Sequence, residues 1–232
     1  MNTFVPLTMQ ILALKELQKS TLSQGKFILL IGKSGLGKSF LLNKLCKDKS
    51  FVLFSQPFFD ESAFYQALYG AISGDGVNLK SLNFEILYKT LQKNTNKPYI
   101  FVCDEVGMYD ENLLEKMRIL SDLPHIFFIL STHKKHKIFN KEHFASRIAK
   151  EIWLKNLNLE DLSLYARQKF ALLHLSKRQL KWLLNISESN LRNIDKILDT
   201  FKELSRFYKE QKQDKSAQTL LKMSAFYHGI LR

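Results

Sequence analysis

Proline and glycine are scarce, 4 and 9 in 232 residues, which argues against long disordered stretches and leaves a chain expected to fold throughout except at its ends. Only two cysteines occur, Cys46 and Cys103, each within or beside an apolar segment. That excludes a disulfide framework and reads as two buried thiols in a reducing compartment. No apolar run approaches the roughly 18 to 20 residues that span a bilayer, and the amino terminus lacks the basic-then-apolar order of a secretory signal. The expectation is therefore a soluble chain with no transmembrane segment, cytoplasmic, meeting a membrane only by peripheral recruitment. Acids are in deficit, 22 against 35 lysines and arginines, for a net charge of +13. Such a balance favours an anionic partner, whether nucleic acid, an anionic membrane surface or an acidic protein, although lysine-rich surfaces also occur on ordinary soluble proteins.

The length suits one mid-sized domain with a small appendage. Apolar positions at helical spacing predict a first helix over 9–19. Lys26-Phe-Ile-Leu-Leu-Ile31 is a short continuous apolar run ended by glycine, as in a strand buried on both faces of a parallel sheet. Helix is expected from Lys38 to about Asp48, strand over 51–54, and helices over 61–72 and 82–93 around the turn Gly74-Asp75-Gly76. Tyr99–Cys103 and Ile126–Leu130 read as further buried strands, with a helix over 111–121 between them, and Lys150–Leu154 as a fifth strand. Alternating strand and helix define an α/β class, a five-stranded parallel sheet with flanking helices. Strand signals then stop. Helices are expected over 160–173, 176–184, 189–209 and from Ser216 onward, with the polar run 209–215 as a joint or a solvated helical segment. The division follows as a core over 1–156 and a small all-α region with a helical tail over 157–232.

Gly32-Lys-Ser-Gly-Leu-Gly-Lys-Ser39 fits G-x-x-x-x-G-K-[ST] and lies between a strand and a helix, the context that a P-loop requires. Glycines at 32, 35 and 37 let backbone N–H groups close on phosphates, with the helix dipole adding to the attraction. The cradle is Gly32, Lys33, Ser34, Gly35, Leu36, Gly37, Lys38, Ser39 and Phe40. In it Lys38 is expected to reach the β- and γ-phosphates of ATP, and Ser39 to place its hydroxyl on Mg2+. Asp104 and Glu105 follow an apolar strand, which puts both acids at its carboxyl end. Asp104 is expected to hold the magnesium through water and Glu105 to polarise the attacking water as general base. Ser131 and Thr132 end the next strand, where a polar side chain, Thr132 above all, would sense the γ-phosphate. Arg147 and Arg192 are arginines that could stabilise transition-state charge.

The P-loop, the Asp-Glu strand end, Ser131-Thr132, Ser146-Arg147 and Asn190-Leu-Arg192 together resemble the AAA+ superfamily over nearly the whole chain. Two branches are similar. The compact stretch from Cys103-Asp-Glu through Leu114-Glu-Lys-Met-Arg to Leu130 resembles ATPases of the ExeA/GspA type, which serve type II secretion and DNA uptake. Phe144-Ala-Ser-Arg-Ile148, Trp153-Leu, Leu159-Glu-Asp161, Tyr165-Ala-Arg167 and Asn190-Leu-Arg192 resemble DnaA-type initiators. The resemblance implies a P-loop AAA+ sheet followed by a helical lid, with Arg147 as an arginine finger across a subunit interface and Arg192 as the sensor 2 residue of the lid. It implies an ATP/ADP switch, a homo-oligomer or a protein partner in a membrane-associated machine, and assembly of a secretion, pilus or DNA-uptake apparatus. The alternative is a DnaA-like or transposition-helper protein that controls DNA binding.

Two further stretches are open to two readings each. Lys134, Lys135, Lys137, Lys141, Arg147 and Lys150, with His133, His136 and His143 and one acid, Glu142, form either a phosphate-gripping segment or a solvated loop. Phe58, Phe59, Phe64 and Tyr65 read as core rather than as a base-stacking or docking surface.

Overall fold

The computed structural model describes residues 5, 7–20, 25–73, 82–95, 97–170 and 175–231. The turn expected at Gly74-Asp75-Gly76 lies outside the described residues. The chain divides into two compact units: one of residues 13–32 and 38–153, the other of residues 1–12, 33–37 and 154–232.

The first unit is built on strands β1 (Phe27–Ile31), β2 (Phe51–Phe54), β3 (Tyr99–Cys103), β4 (Ile126–Thr132) and β5 (Ile148–Trp153). They form one sheet in the order β2-β3-β4-β1-β5, every neighbouring pair parallel. Burial follows this order. The interior strands β1 and β3 are buried at every residue, which is why they read as unbroken apolar runs, whereas the edge strands β2 and β5 are half-buried. Phe27 stacks on Phe128 at 5.5 Å between ring centroids and tilts against Phe144 at 5.1 Å. Each such fully buried side chain contributes about 2 kcal/mol by transfer from water.

Helices α2 (Lys38–Leu45), α3 (Glu61–Ser73), α4 (Phe84–Lys93), α5 (Glu111–Ser121) and the short α6 (Glu142–Ala145) belong to the same unit. Asn83 caps α4 and Asp110 caps α5, each side chain accepting a first-turn N–H. Helix α1 (Thr8–Ser20) has residues in both units. Several boundaries differ from those read along the sequence. Helix α2 stops at Leu45, before a tight turn in which Asp48 accepts from the backbone and hydroxyl of Ser50. Strand β5 starts at Ile148, two residues earlier than expected, because Arg147 already presents its carbonyl to the N–H groups of Lys26 and Phe27.

The aromatic stretch divides. Phe64 and Tyr65 are buried and Phe58 packs against them, but Phe59 is 80% exposed and outside the core. Cys103 is buried as expected, whereas Cys46 is only half-buried; both are free thiols.

The second unit is helical: α7 (Leu159–Lys169), α8 (Lys177–Ile186), α9 (Leu191–Glu210) and α10 (Ala217–Tyr227). Leu162, Leu183, Ile194, Ile197, Leu198 and Leu221 form its core, with Val5 and Leu7 of the amino-terminal segment packed among them. A side-chain cap opens each helix: Asn158, Ser176 in a capping box with Gln179, Asn190 and Ser216. Asp195 accepts from Tyr165 Oη at 2.6 Å and pairs with Lys169 at 2.6 Å, tying α7 to α9.

Helix α7 ends at Lys169, and the expected extension to Leu173 reaches residues outside those described. Helix α9 begins at Leu191, two residues after the expected Ser189, since Glu188 and Ser189 both lie in the left-handed region at φ 51° and 62°. Two consecutive non-glycine residues there are costly, on the order of 1 kcal/mol each, and they turn the chain so that Asn190 becomes the cap. The polar run after Glu210 is an exposed connection to α10.

Candidate nucleotide site

In a parallel sheet all strand carboxyl ends share one rim. Gly32 follows β1, Thr132 ends the adjacent β4, and Asp104 follows β3 one strand further on. The backbone continues the pairing past the strands: Gly32 N–H donates to Thr132 O at 3.1 Å, and Asp104 N–H to Phe54 O at 3.0 Å. Lys38 is 5% exposed, and its Nζ donates to Gly32 O and lies 3.0 Å from His133 Nδ1. A buried ammonium directly after a glycine loop is poised for an anion.

Asp104 is 3% exposed, and its Oδ1 accepts from the N–H of Glu105 at 2.9 Å. Its neighbour Cys103 adds no competing charge, because burial pushes that thiol up to about 12. A buried carboxylate and the hydroxyl of Ser39 at the first turn of α2 are oxygen donors of the kind a hard divalent cation takes. These donors fit magnesium held jointly with phosphate oxygens. Glu105 is half-buried and left-handed, φ 57°, a conformation that swings the chain from β3 into a 3-10 turn at Val106–Met108. Strain at this one residue lets the second acid leave the strand direction.

Within the helical unit, the loop Lys33–Gly37 is held by groups distant in sequence. Gln10 Nε2 donates to Leu36 O at 3.1 Å and Leu191 N–H to Gly35 O at 2.9 Å. Gly35 and Gly37 have φ of 79° and 83°. A Cβ on Gly35 would lie 2.0 Å from Asn190 Oδ1, and one on Gly37 2.5 Å from Gln10 Nε2, so neither position tolerates a side chain. Lys33 and Ser34 are exposed on the loop, Leu36 is buried, and Phe40 is 40% exposed on α2. Arg192 is exposed in the first turn of α9, next to Leu191. A cation at that end opposes the helix dipole, and no acid pairs with it among the described residues, so folding does not account for it.

The remaining candidates are placed as follows. Ser131 is buried, its Oγ without a hydrogen-bond partner among the described residues. Thr132 is buried as well, and its hydroxyl donates to Lys134 O at 2.8 Å. Arg147 lies at the other rim, at the amino end of β5, where Asp122 accepts from it at 2.8 Å and the carbonyl of His143 accepts a second bond. Several cations of the basic segment pair with acids remote in sequence, Lys135 with Glu151, Lys141 with Glu111 and Lys150 with Glu16, and His143 is hydrogen-bonded with Glu115. Burial disfavours the charge on Glu115, yet hydrogen bonds from Arg118 and His143 overcome it and hold that carboxyl below the usual range. Part of the segment is also ordered, into a 3-10 turn at Lys137–Asn140 and helix α6. Gln10 escaped sequence reasoning, His133 was read only as part of the basic segment, and Asn190 only as part of the Asn190-Leu-Arg192 match. Only Asn190 carried a signal, as a cap before an apolar-periodic run.

A parallel sheet with a glycine loop after β1, a lysine and serine opening the next helix, and an acidic pair after β3 defines a P-loop nucleotide-binding protein. Residues 20–137 match the model of an AAA domain family, and the chain belongs to that family. Among curated protein sequences none matches it. Solved structures with the same fold include the Aeropyrum pernix ORC1 protein in complex with DNA, with a TM-score of 0.64 and 14% identity over 98% of this chain and 68% of that one. Drosophila ORC bound to DNA has a TM-score of 0.68 and 9% identity over 97% of this chain and 62% of that one. A Thermotoga maritima RuvB variant has 0.55 and 13% over 94% and 66%. The chain thus spans about two thirds of the length of these structures. No described helix is long and apolar enough to cross a membrane.

Proposed function

We propose that the chain binds ATP with magnesium and hydrolyses it, and that turnover acts as an assembly switch. One observation carries this reading: a buried ammonium, Lys38, and a buried carboxylate, Asp104, share the rim of strand carboxyl ends. Loop amides from Gly32 to Ser39, with Phe40 beyond, enclose the phosphates, and Lys38 neutralises the β- and γ-phosphates. Ser39 and Asp104 hold the magnesium, which when bound polarises the phosphoryl oxygens. Glu105 accepts a proton from the attacking water. Arg192, beside the Leu191 that bonds to the loop, counters phosphate charge.

Arg147 sits at the rim away from Lys38 in its own sheet, which supports action on the loop of a second copy. Replacing it by alanine should lower turnover by on the order of 10³, the effect of an arginine finger, while ATP still binds. Mixing that variant with Lys38→Ala should restore turnover, because each supplies what the other lacks. Phosphate release by the variant at the parent rate would remove the role.

The setting we favour is DNA-associated. Lys177, Arg178 and Lys181 stand exposed on α8, two of them in its first turn against the helix dipole, with no acid paired to them among the described residues. Structures of similar fold were solved as ORC with DNA. Duplex DNA should stimulate phosphate release, with the stimulation falling steeply between 50 and about 200 mM salt. Salt-independent turnover indifferent to DNA would defeat this setting, and recovery of a membrane-apparatus protein with the chain would favour the secretion, pilus or DNA-uptake role instead.

A further inference from the structure

We propose that His133, rather than Thr132, is the side chain at the end of β4 that reads the terminal phosphate and so sets the preference for ATP over ADP; this rests on the nucleotide reading above. Three polar side chains follow one another where β4 ends. Ser131 is fully buried. Thr132 is 1% exposed, and its only hydroxyl proton is committed to Lys134 O at 2.8 Å. The backbone of Gly107 also closes on it, such that a Cβ there would lie 3.1 Å from Thr132 Oγ1. His133 is exposed and reaches Lys38, with Nδ1 3.0 Å from Nζ.

The chemistry of that contact fixes what His133 does. A lysine ammonium has donors and no acceptor, so Nδ1 offers its lone pair to Lys38 and the ring proton is on Nε2. Two of the contacts of Lys38 differ in place, one with Gly32 O at the root of the loop and one with His133 just after β4. A diphosphate enclosed by the loop engages the first. An oxygen of a third phosphate takes the second, displacing His133 as the acceptor and coming to rest within about 3 Å of the ring. With its proton moved to Nδ1, the imidazole donates to that oxygen. His133 is a positioning residue through its contact with Lys38 and a specificity residue toward the third phosphate.

The test measures the Kd of ATP and of ADP in the Glu105→Gln background, where ATP stays intact. His133→Ala should weaken ATP about tenfold, the loss expected for one hydrogen bond to a charged group, and leave ADP within about twofold. His133→Asn, whose amide places a donor near Nδ1, should recover most of the difference, and Thr132→Val should leave the ATP/ADP ratio unchanged. Equal weakening of both nucleotides by His133→Ala, no weakening of either, or a selective ATP loss in Thr132→Val would each overturn the proposal while the nucleotide site stood. Uptake of neither nucleotide by the parent would overturn the site reading and this proposal together. Because His133 is exposed, unchanged thermal unfolding of the variants is expected and checks that they fold.

Discussion

Lys38→Ala should abolish turnover and weaken ATP by at least about a hundredfold, as expected for loss of a desolvated cation from the triphosphate. Lys38 is almost wholly buried and bonded to Gly32 O and His133. Its charge is therefore aimed before any ligand arrives, and little side-chain entropy is lost when one does. The readout is twofold. Saturating ATP should raise the thermal unfolding midpoint of the parent, by mass action worth about 2.7 kcal/mol at a hundredfold excess over Kd, and should leave the variant unmoved. Phosphate release should vanish in parallel. An unchanged ATP-induced shift in Lys38→Ala would mean that the glycine loop holds nothing that this lysine touches.

Glu105→Gln is expected to separate binding from chemistry. Glutamine keeps the size of the side chain and bears the left-handed backbone at φ 57° no worse than glutamate does, so folding should be unaffected. What it loses is a basic oxygen. Without one, the water attacking the γ-phosphate keeps its proton, and turnover should fall by about 10² to 10⁴, the usual worth of a positioned base. Affinity for ATP should stay within a few-fold of the parent, since the loop, Lys38, Ser39 and Asp104 are untouched. Single-turnover phosphate release beside equilibrium binding makes the measurement. Parental turnover in Glu105→Gln would assign the base elsewhere and leave a nucleotide-binding scaffold.

The buried strands and the loop were legible along the chain because their signals are local. Phe27–Ile31 and Tyr99–Cys103 are apolar at every position since both faces of an interior parallel strand are covered, and the match from Gly32 to Ser39 needs only eight consecutive residues. The start of α9 was misplaced for an equally physical reason: Glu188 and Ser189 take left-handed angles that their residue types do not advertise. The partners of the basic segment were not legible, because charge counting sees one acid within it, whereas Glu16, Glu111, Glu115 and Glu151 arrive from other elements.

Local spacing and periodicity fixed the five strands, the phosphate loop and the acidic pair, since each is a property of a few adjacent residues. Contacts made across long stretches of chain decided the rest. The strand order puts Asp104 and Lys38 on one rim and Arg147 on the other. Folding brings His133 onto a lysine 95 residues away, and Leu191 onto Gly35. Pairings of that range follow from how the elements pack, and packing energy is summed over a whole core rather than written in any one segment.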